Sequence, residues 1–278
     1  MRPVFRRLLA ALIVAWLALC GAVAASNPGR IISLAPSLTQ SIYALGAEEL
    51  LVGCTSYCTE AIKDGKTVVG SATKVNVEKA VSLRPDLVVI SDLTSPEDAA
   101  TLKKFGIQVV RLRAPRSYEE VCDQFVRLGE LVGHKSDALR IVSDSKKTVD
   151  SIRVRREASH KGSHKPSLFI QIGADPLYAV IPGTFMADYA AFLGAGLVTE
   201  GLTHGEVTQE YIIKQDPDYI FIVTMGSLTT GESKKWQRMQ FLTAAKRRQI
   251  YVLNAKMASE PSPVTFAKTL KLLDSLVK

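Results

Sequence analysis

One stretch of sixteen residues recurs in similar form in this chain. Val75-Asn-Val-Glu-Lys-Ala-Val-Ser-Leu-Arg-Pro-Asp-Leu-Val-Val-Ile90 can be laid without a gap on Val207-Thr-Gln-Glu-Tyr-Ile-Ile-Lys-Gln-Asp-Pro-Asp-Tyr-Ile-Phe-Ile222, 132 residues further on. The valine, the glutamate, the Pro-Asp pair and the last isoleucine coincide, and the apolar positions match almost throughout. In each copy a helix-capping residue, Asn76 or Thr208, stands two before the glutamate. The proline ends the helix, because the residue before it avoids the α region. The apolar run that follows suits a strand covered on both faces. A second echo, Ala44-Leu-Gly-Ala47 against Phe192-Leu-Gly-Ala195, supports the first. A helix–strand unit repeated at this distance constrains the chain to two similar α/β halves.

Strand and helix patterns alternate from Arg30 to Leu112 and again from Leu168 to Leu253, which implies parallel βα units. Between them lie two helical stretches. Ser117 with Glu120 opens the first as a capping box. The second, residues 135–158, carries Ala138, Leu139, Val142, Val149, Ile152 and Val154 on an otherwise polar surface. At 1.5 Å per residue it is about 36 Å long, a strut across a small domain. The predicted architecture is α/β: two Rossmann-like lobes with parallel sheets, residues 26–116 and 161–278, joined by a helical connector, 117–160, built on one long backbone helix.

Residues 1–25 stand apart as a signal peptide. Arg2, Arg6 and Arg7 precede the apolar run Leu8–Leu19, and Ala22-Val23-Ala24 offers small residues for cleavage near Ala24-Ala25. Export to the periplasm is the expectation. Lipidation at Cys20 is the less favoured alternative, because Leu19 is bulkier than such sites accept. Without the three leader arginines the net charge falls from +8 to +5. With no dense basic patch, nucleic-acid binding is excluded. Cys54, Cys58 and Cys122 remain, an odd number, so at least one thiol is left over from any disulfide. His134, His160, His164 and His204 form no cluster with carboxylates, and no metal site of the protein's own is predicted. An enzyme on such a scaffold is the rival class. The chain lacks G-x-G-x-x-G, G-x-x-x-x-G-K-[ST] and G-x-S-x-G, and Cys58 has no histidine nearby in sequence to activate it.

The motifs Arg30-Ile-Ile-Ser-Leu-Ala-Pro-Ser37, Tyr43-Ala-Leu-Gly-Ala47, Val52-Gly-Cys-Thr-Ser-Tyr57, Asn76 to Val88, Phe169-Ile-Gln-Ile-Gly173 and Ser262-Pro263 give the chain a family likeness. Over essentially the whole length after the leader, it resembles the periplasmic substrate-binding proteins of ABC importers for cobalamin, ferric siderophores and haem. The resemblance implies a ligand cleft between two nearly rigid lobes and a permease dimer as partner, with an outer-membrane receptor system further upstream. It also implies a surface glutamate on each lobe that meets permease arginines, and Glu78 and Glu210 fall on those positions. A carboxylate in a first helical turn is ordinarily explained by the helix dipole, worth about 0.3–1 kcal/mol; docking is compatible with that role.

Ligands of open α/β sheets sit at the C-terminal ends of the strands. Candidates there are Tyr57, Lys74 with the loop Ser71–Val75, Ser91-Asp92, Tyr178 with Asp175–Leu177, His204, Met225, and Met257 with Ala258–Glu260. Tyr57 and Tyr178 match family positions where aromatic residues face the ligand. Ala72 and His204 stand where cobalamin binders can carry tryptophans, and Ser71 is near the place of a haem-ligating tyrosine. Haem is therefore the alternative, and an iron chelate or corrinoid the expected cargo, with no intrinsic cofactor.

Overall fold

The computed structural model describes residues 28–159, 165–224 and 230–278; the expected leader with Cys20, His160, His164 and Met225 lie outside the described residues. The first sheet is all parallel. It holds β1 (Ile31–Ser33), β2 (Leu51–Cys54), β3 (Thr67–Val68), β4 (Leu87–Ile90) and β5 (Gln108–Arg111) in the order β3-β2-β1-β4-β5. Parallel neighbours need long crossovers. These are supplied by α1 (Pro36–Ala44), α2 (Thr59–Lys63), α3 (Val77–Ser82) and α4 (Pro96–Lys104). β4, the apolar run of the first repeat, is buried at every position.

The chain then leaves the sheet through α5 (Tyr118–Leu131) and α6 (Lys135–Ser159). The buried residues of α6 are Ala138, Val142, Ser145, Val149, Ile152 and Arg156, spaced alternately by four and three. Leu139 and Val154, two of the apolar residues noted in the sequence, are exposed. Two polar groups are buried because each finds partners. Ser145 Oγ donates to the Pro263 carbonyl at 2.7 Å and accepts from the Tyr118 hydroxyl at 2.6 Å. Arg156 donates to the Asp274 carboxylate at 2.7 Å and to the Val277 carbonyl.

The second sheet contains β6 (Ser167–Ala174), β7 (Leu177–Ala179), β8 (Gly196–Leu197), β9 (Tyr219–Thr224) and β10 (Ile250–Asn254), ordered β10-β9-β6-β7 with β8 also on β6. All but β7 run parallel to their neighbours. The segment Gly173–Tyr178 is a hairpin: β6 continues to Ala174 and β7 folds back on it. Its helices are α7 (Ala187–Phe192), α8 (Gln209–Gln215), α9 (Thr230–Arg238), α10 (Thr243–Lys246), α11 (Ala255–Ala258) and α12 (Pro263–Leu276). α11 takes in Met257 and Ala258 of the candidate stretch Met257–Glu260. α12 packs on both α5 and α6. One buried cluster therefore passes from Ile31 in the first sheet through Phe125, Ile152 and Phe266 to Phe221 in the second.

The repeat has a structural cause at its Pro-Asp pair and at the glycine of the second echo. Asp86 of the first Pro-Asp accepts the amides of Gly29 and Arg30 at 2.9 Å, fixing the entry to β1. Asp218 of the second accepts the amide and hydroxyl of Ser167 at 3.0 Å, fixing the entry to β6. The residues before the prolines, Arg84 and Asp216, are both left-handed, at φ 47° and 42°. Gly46 and Gly194 of the second echo share φ 68°, a backbone conformation that glycine adopts without a Cβ penalty.

Candidate ligand cleft

A cavity of about 340 Å³ opens between the two lobes. On the first lobe it is lined where β1, β4 and β5 end, at Ala35, at Ser91–Leu93 and at Leu112–Pro115; the opposite wall is Phe185, Ser259 and Pro261. β1 and β4 flank the point where the strand order reverses, the place where doubly wound sheets bind ligands. The wall is stiffened from behind. Arg111 donates to the carbonyls of Ser91 at 2.6 Å and Thr94 at 3.1 Å. Asp92 accepts the Ala114 amide at 3.0 Å, joining the ends of β4 and β5.

Of the stretches singled out in the sequence, Ser71–Val75 supplies Ala72, Ser91-Asp92 contributes both residues, and Met257–Glu260 supplies Ser259. Tyr57, Lys74, Tyr178, His204 and Met257 do not line this cavity. Tyr57 is 64% exposed in the turn after β2. Lys74 projects from a tight turn in which its amide is bonded to the Ser71 hydroxyl. Tyr178 lies on β7, bridged to Glu206, with exposed His204 two residues before that partner. Met257 is half-buried in α11. Its neighbour Lys256 reaches across the lobes to the Glu60 carboxylate at 2.6 Å and to the Thr59 hydroxyl. That lysine, hydrogen-bonded to Glu60, holds the Glu60 carboxyl below its usual range. Glu260 nearby is pushed up by burial, against the pull of Lys256.

Phe185, Leu93, Leu112, Pro115 and Pro261 were missed. Leu112 follows β5 directly, so the strand-end rule that pointed to Ser91 would also have found it. Phe185, in the loop between β7 and α7, carries no such signal.

Cys54, Cys58 and Cys122 are buried free thiols. The Cys54 thiol donating to Cys58 outweighs burial and, with the hydroxyls of Thr39 and Thr55, draws Cys58 down to about 6. Burial pushes Cys122 up to about 11. Among the described residues no three His, Cys, Asp or Glu side chains converge as metal ligands, and no helix is long and apolar enough to cross a membrane.

Glu78 and Glu210 are each the second residue of a helix, α3 and α8, and both are exposed. Asn76 and Thr208 cap those helices by accepting the amides of Lys79 at 2.9 Å and Tyr211 at 3.2 Å. Each helix follows a parallel strand and runs back along the sheet, so both glutamates lie toward the C-terminal strand ends, the side on which the cleft opens. Among the described residues neither carboxylate has an ion-pair partner.

This arrangement has known counterparts. An ABC transporter substrate-binding lipoprotein of Bacillus subtilis, YvrC, itself uncharacterized, is 29% identical over 255 residues, 90% of this chain and 80% of that one. The vitamin B12-binding protein of Pectobacterium atrosepticum is 28% identical over 229 residues, 80% of each chain. Among solved structures, a possible iron-binding (periplasmic solute-binding) protein from Staphylococcus epidermidis matches with a TM-score of 0.76 at 25% identity, over 90% of this chain and 98% of that one. The family model described as periplasmic binding protein matches residues 31–257. With its two α/β lobes, long connecting helix and interlobe cleft, the chain belongs to the periplasmic binding protein family.

Proposed function

We propose that this protein captures a metal chelate, a ferric siderophore or a corrinoid, in the interlobe cleft and delivers it to the dimeric permease of an ABC importer. The observation that carries the reading is the cleft itself, open between two repeated lobes at their C-terminal strand ends. The similarity to B12-binding and iron-binding proteins supports a chelate as cargo. The protein acts by binding, as its family does, and no chemical step is assigned to it. Residues 26–116 and 161–278 form the lobes and 117–160 the connector. Tyr57, Lys74, Tyr178, His204 and Met257 serve as rim residues that approach a cargo larger than the cavity, and Met225 stays a candidate ligand contact on sequence grounds alone. Export and cleavage near Ala24-Ala25 would leave a periplasmic product. Lipidation at Cys20 is the rival outcome, and the mass of the mature protein separates the two. No feature of the chain speaks for an outer-membrane receptor.

The visible absorption spectrum of protein purified from its native host tests the cargo, since corrinoid, haem and ferric catecholate or hydroxamate absorb differently. A colourless preparation that also ignores each chelate in titration would sink the reading. Glu78 and Glu210 are the docking contacts. Glu78→Lys or Glu210→Lys should lower transport and permease binding several-fold while chelate affinity stays unchanged. Loss of chelate affinity in either variant would falsify the docking role.

A further inference from the structure

Phe185 is the aromatic side chain in the lining of the cleft among the described residues. Three features make it a prepared surface. Its loop is fixed: Gly183 holds φ 78°, the Thr184 hydroxyl donates to the Ile181 carbonyl at 2.9 Å, and the Phe185 carbonyl accepts the Asp188 amide at 3.2 Å. The ring meets Tyr189 edge to face, with centroids 6.4 Å apart and planes at 73°. Tyr189 in turn stacks on Phe266 at 4.5 Å, and Phe266 packs on Tyr118 at 4.4 Å with the planes tilted by 31°. The ring at the cleft is thus the last member of an aromatic row rooted in the helices that join the lobes, and a side chain backed in this way gives up little freedom on binding.

The surroundings are equally specific. Leu93 on the opposite wall is 63% exposed, and Leu112, Pro115 and Pro261 continue the apolar floor. The polar residues of the lining are Ser37, Ser91, Asp92, Arg113, Gln124 and Ser259, and Asp92 and Gln124 are already bonded to the Ala114 amide and the Arg113 carbonyl, which leaves few groups for a surface covered with amides or hydroxamates. Apolar area left open in a cleft gains most from a flat hydrocarbon face. We infer that the cleft selects metal chelates bearing an aryl group, and that Phe185, with Leu93 opposite, is the specificity-determining contact for that group. The inference rests on the reading of the cleft as a chelate site. The shared chemistry is the aryl face, which a catecholate siderophore and the benzimidazole of a complete corrinoid both supply.

The test pairs aryl-bearing probes with aryl-free counterparts, titrated into the purified full chain by calorimetry. Cyanocobalamin is set against dicyanocobinamide, which lacks the benzimidazole, and a ferric tris-catecholate against a ferric trihydroxamate. In the pair that contains the cargo, the aryl-bearing member should bind about tenfold tighter. Phe185→Ala and Phe185→Leu should each erase that difference, with Leu keeping the hydrophobic bulk without the ring. Phe185→Tyr should retain it, and Phe105→Ala, at an exposed ring outside the cleft lining, should leave it untouched. Equal binding within both pairs, or a Phe185→Leu variant that still discriminates, overturns the inference while leaving the chelate reading intact. If none of the four probes binds, the chelate reading falls and the inference with it.

Discussion

Asp274 shows how a buried charge ties the C-terminal helix to the long connecting helix. Burial alone would raise its carboxyl, but the guanidinium groups of Arg155 and Arg156 outweigh burial and hold it below the usual carboxylate range. A carboxyl depressed by folding adds stability that is complete above its unfolded value, about pH 4, and is lost as pH falls through the lower folded value. Asp274→Asn should therefore cost about 2 kcal/mol at pH 7 in urea unfolding, with the gap to wild type narrowing toward pH 3. A gap that stays constant across that range would show that the pair adds nothing linked to ionisation. The thiols call for a different test. Cys58 has the acidity of a reactive nucleophile but is buried, so access governs its chemistry. Cys54, Cys58 and Cys122 should label slowly with a thiol reagent in the native state and fast in denaturant. Rapid native labelling, or thiols missing after denaturation, would contradict the buried free thiols.

At the scale of elements, the repeat is where sequence and structure agree best. Pro-Asp, the capped glutamate helix and the apolar strand are legible because each depends on local chemistry that leaves a residue signature. Arg84 and Asp216 show how equivalent positions diverge. Both hold a left-handed φ, but the exposed Arg84 side chain has no partner among the described residues, whereas Asp216 accepts the amide and hydroxyl of Thr243, each at 2.7 Å. Arg84→Gly should stabilise by up to about 1 kcal/mol, because the strain exceeds the entropic cost of glycine. Asp216→Gly should destabilise, and denaturant midpoints of the two variants moving in the same direction would refute the contrast. Elements such as β3 and β8, two residues each, were not legible: no periodicity can show in so short a run. The hairpin of β7 was hidden for the same reason. The aromatic candidates Tyr57 and Tyr178 were chosen by family position, and neither lines the cavity; the cavity floor is set by tertiary packing around Phe185, which has no local signature.

For the molecule as a whole, the buried cluster that runs through α5, α6 and α12 joins the two lobes, so they should unfold as one cooperative body. Unfolding followed by far-ultraviolet circular dichroism should coincide with unfolding followed by Trp236 fluorescence, although Trp236 belongs to a separate cluster on the second lobe. Two distinct midpoints would mean that the lobes unfold independently. The same frame has a consequence for the proposed encounter with the permease. Glu78 and Glu210 are borne on one rigid body, so once either has engaged, the other is presented at a high effective concentration rather than searching from solution. Docking then has the character of avidity. Reversing one charge removes its own contact and also the advantage of having been tethered by the other, which leaves one-point docking, so the double reversal should weaken docking further by the strength of the remaining contact.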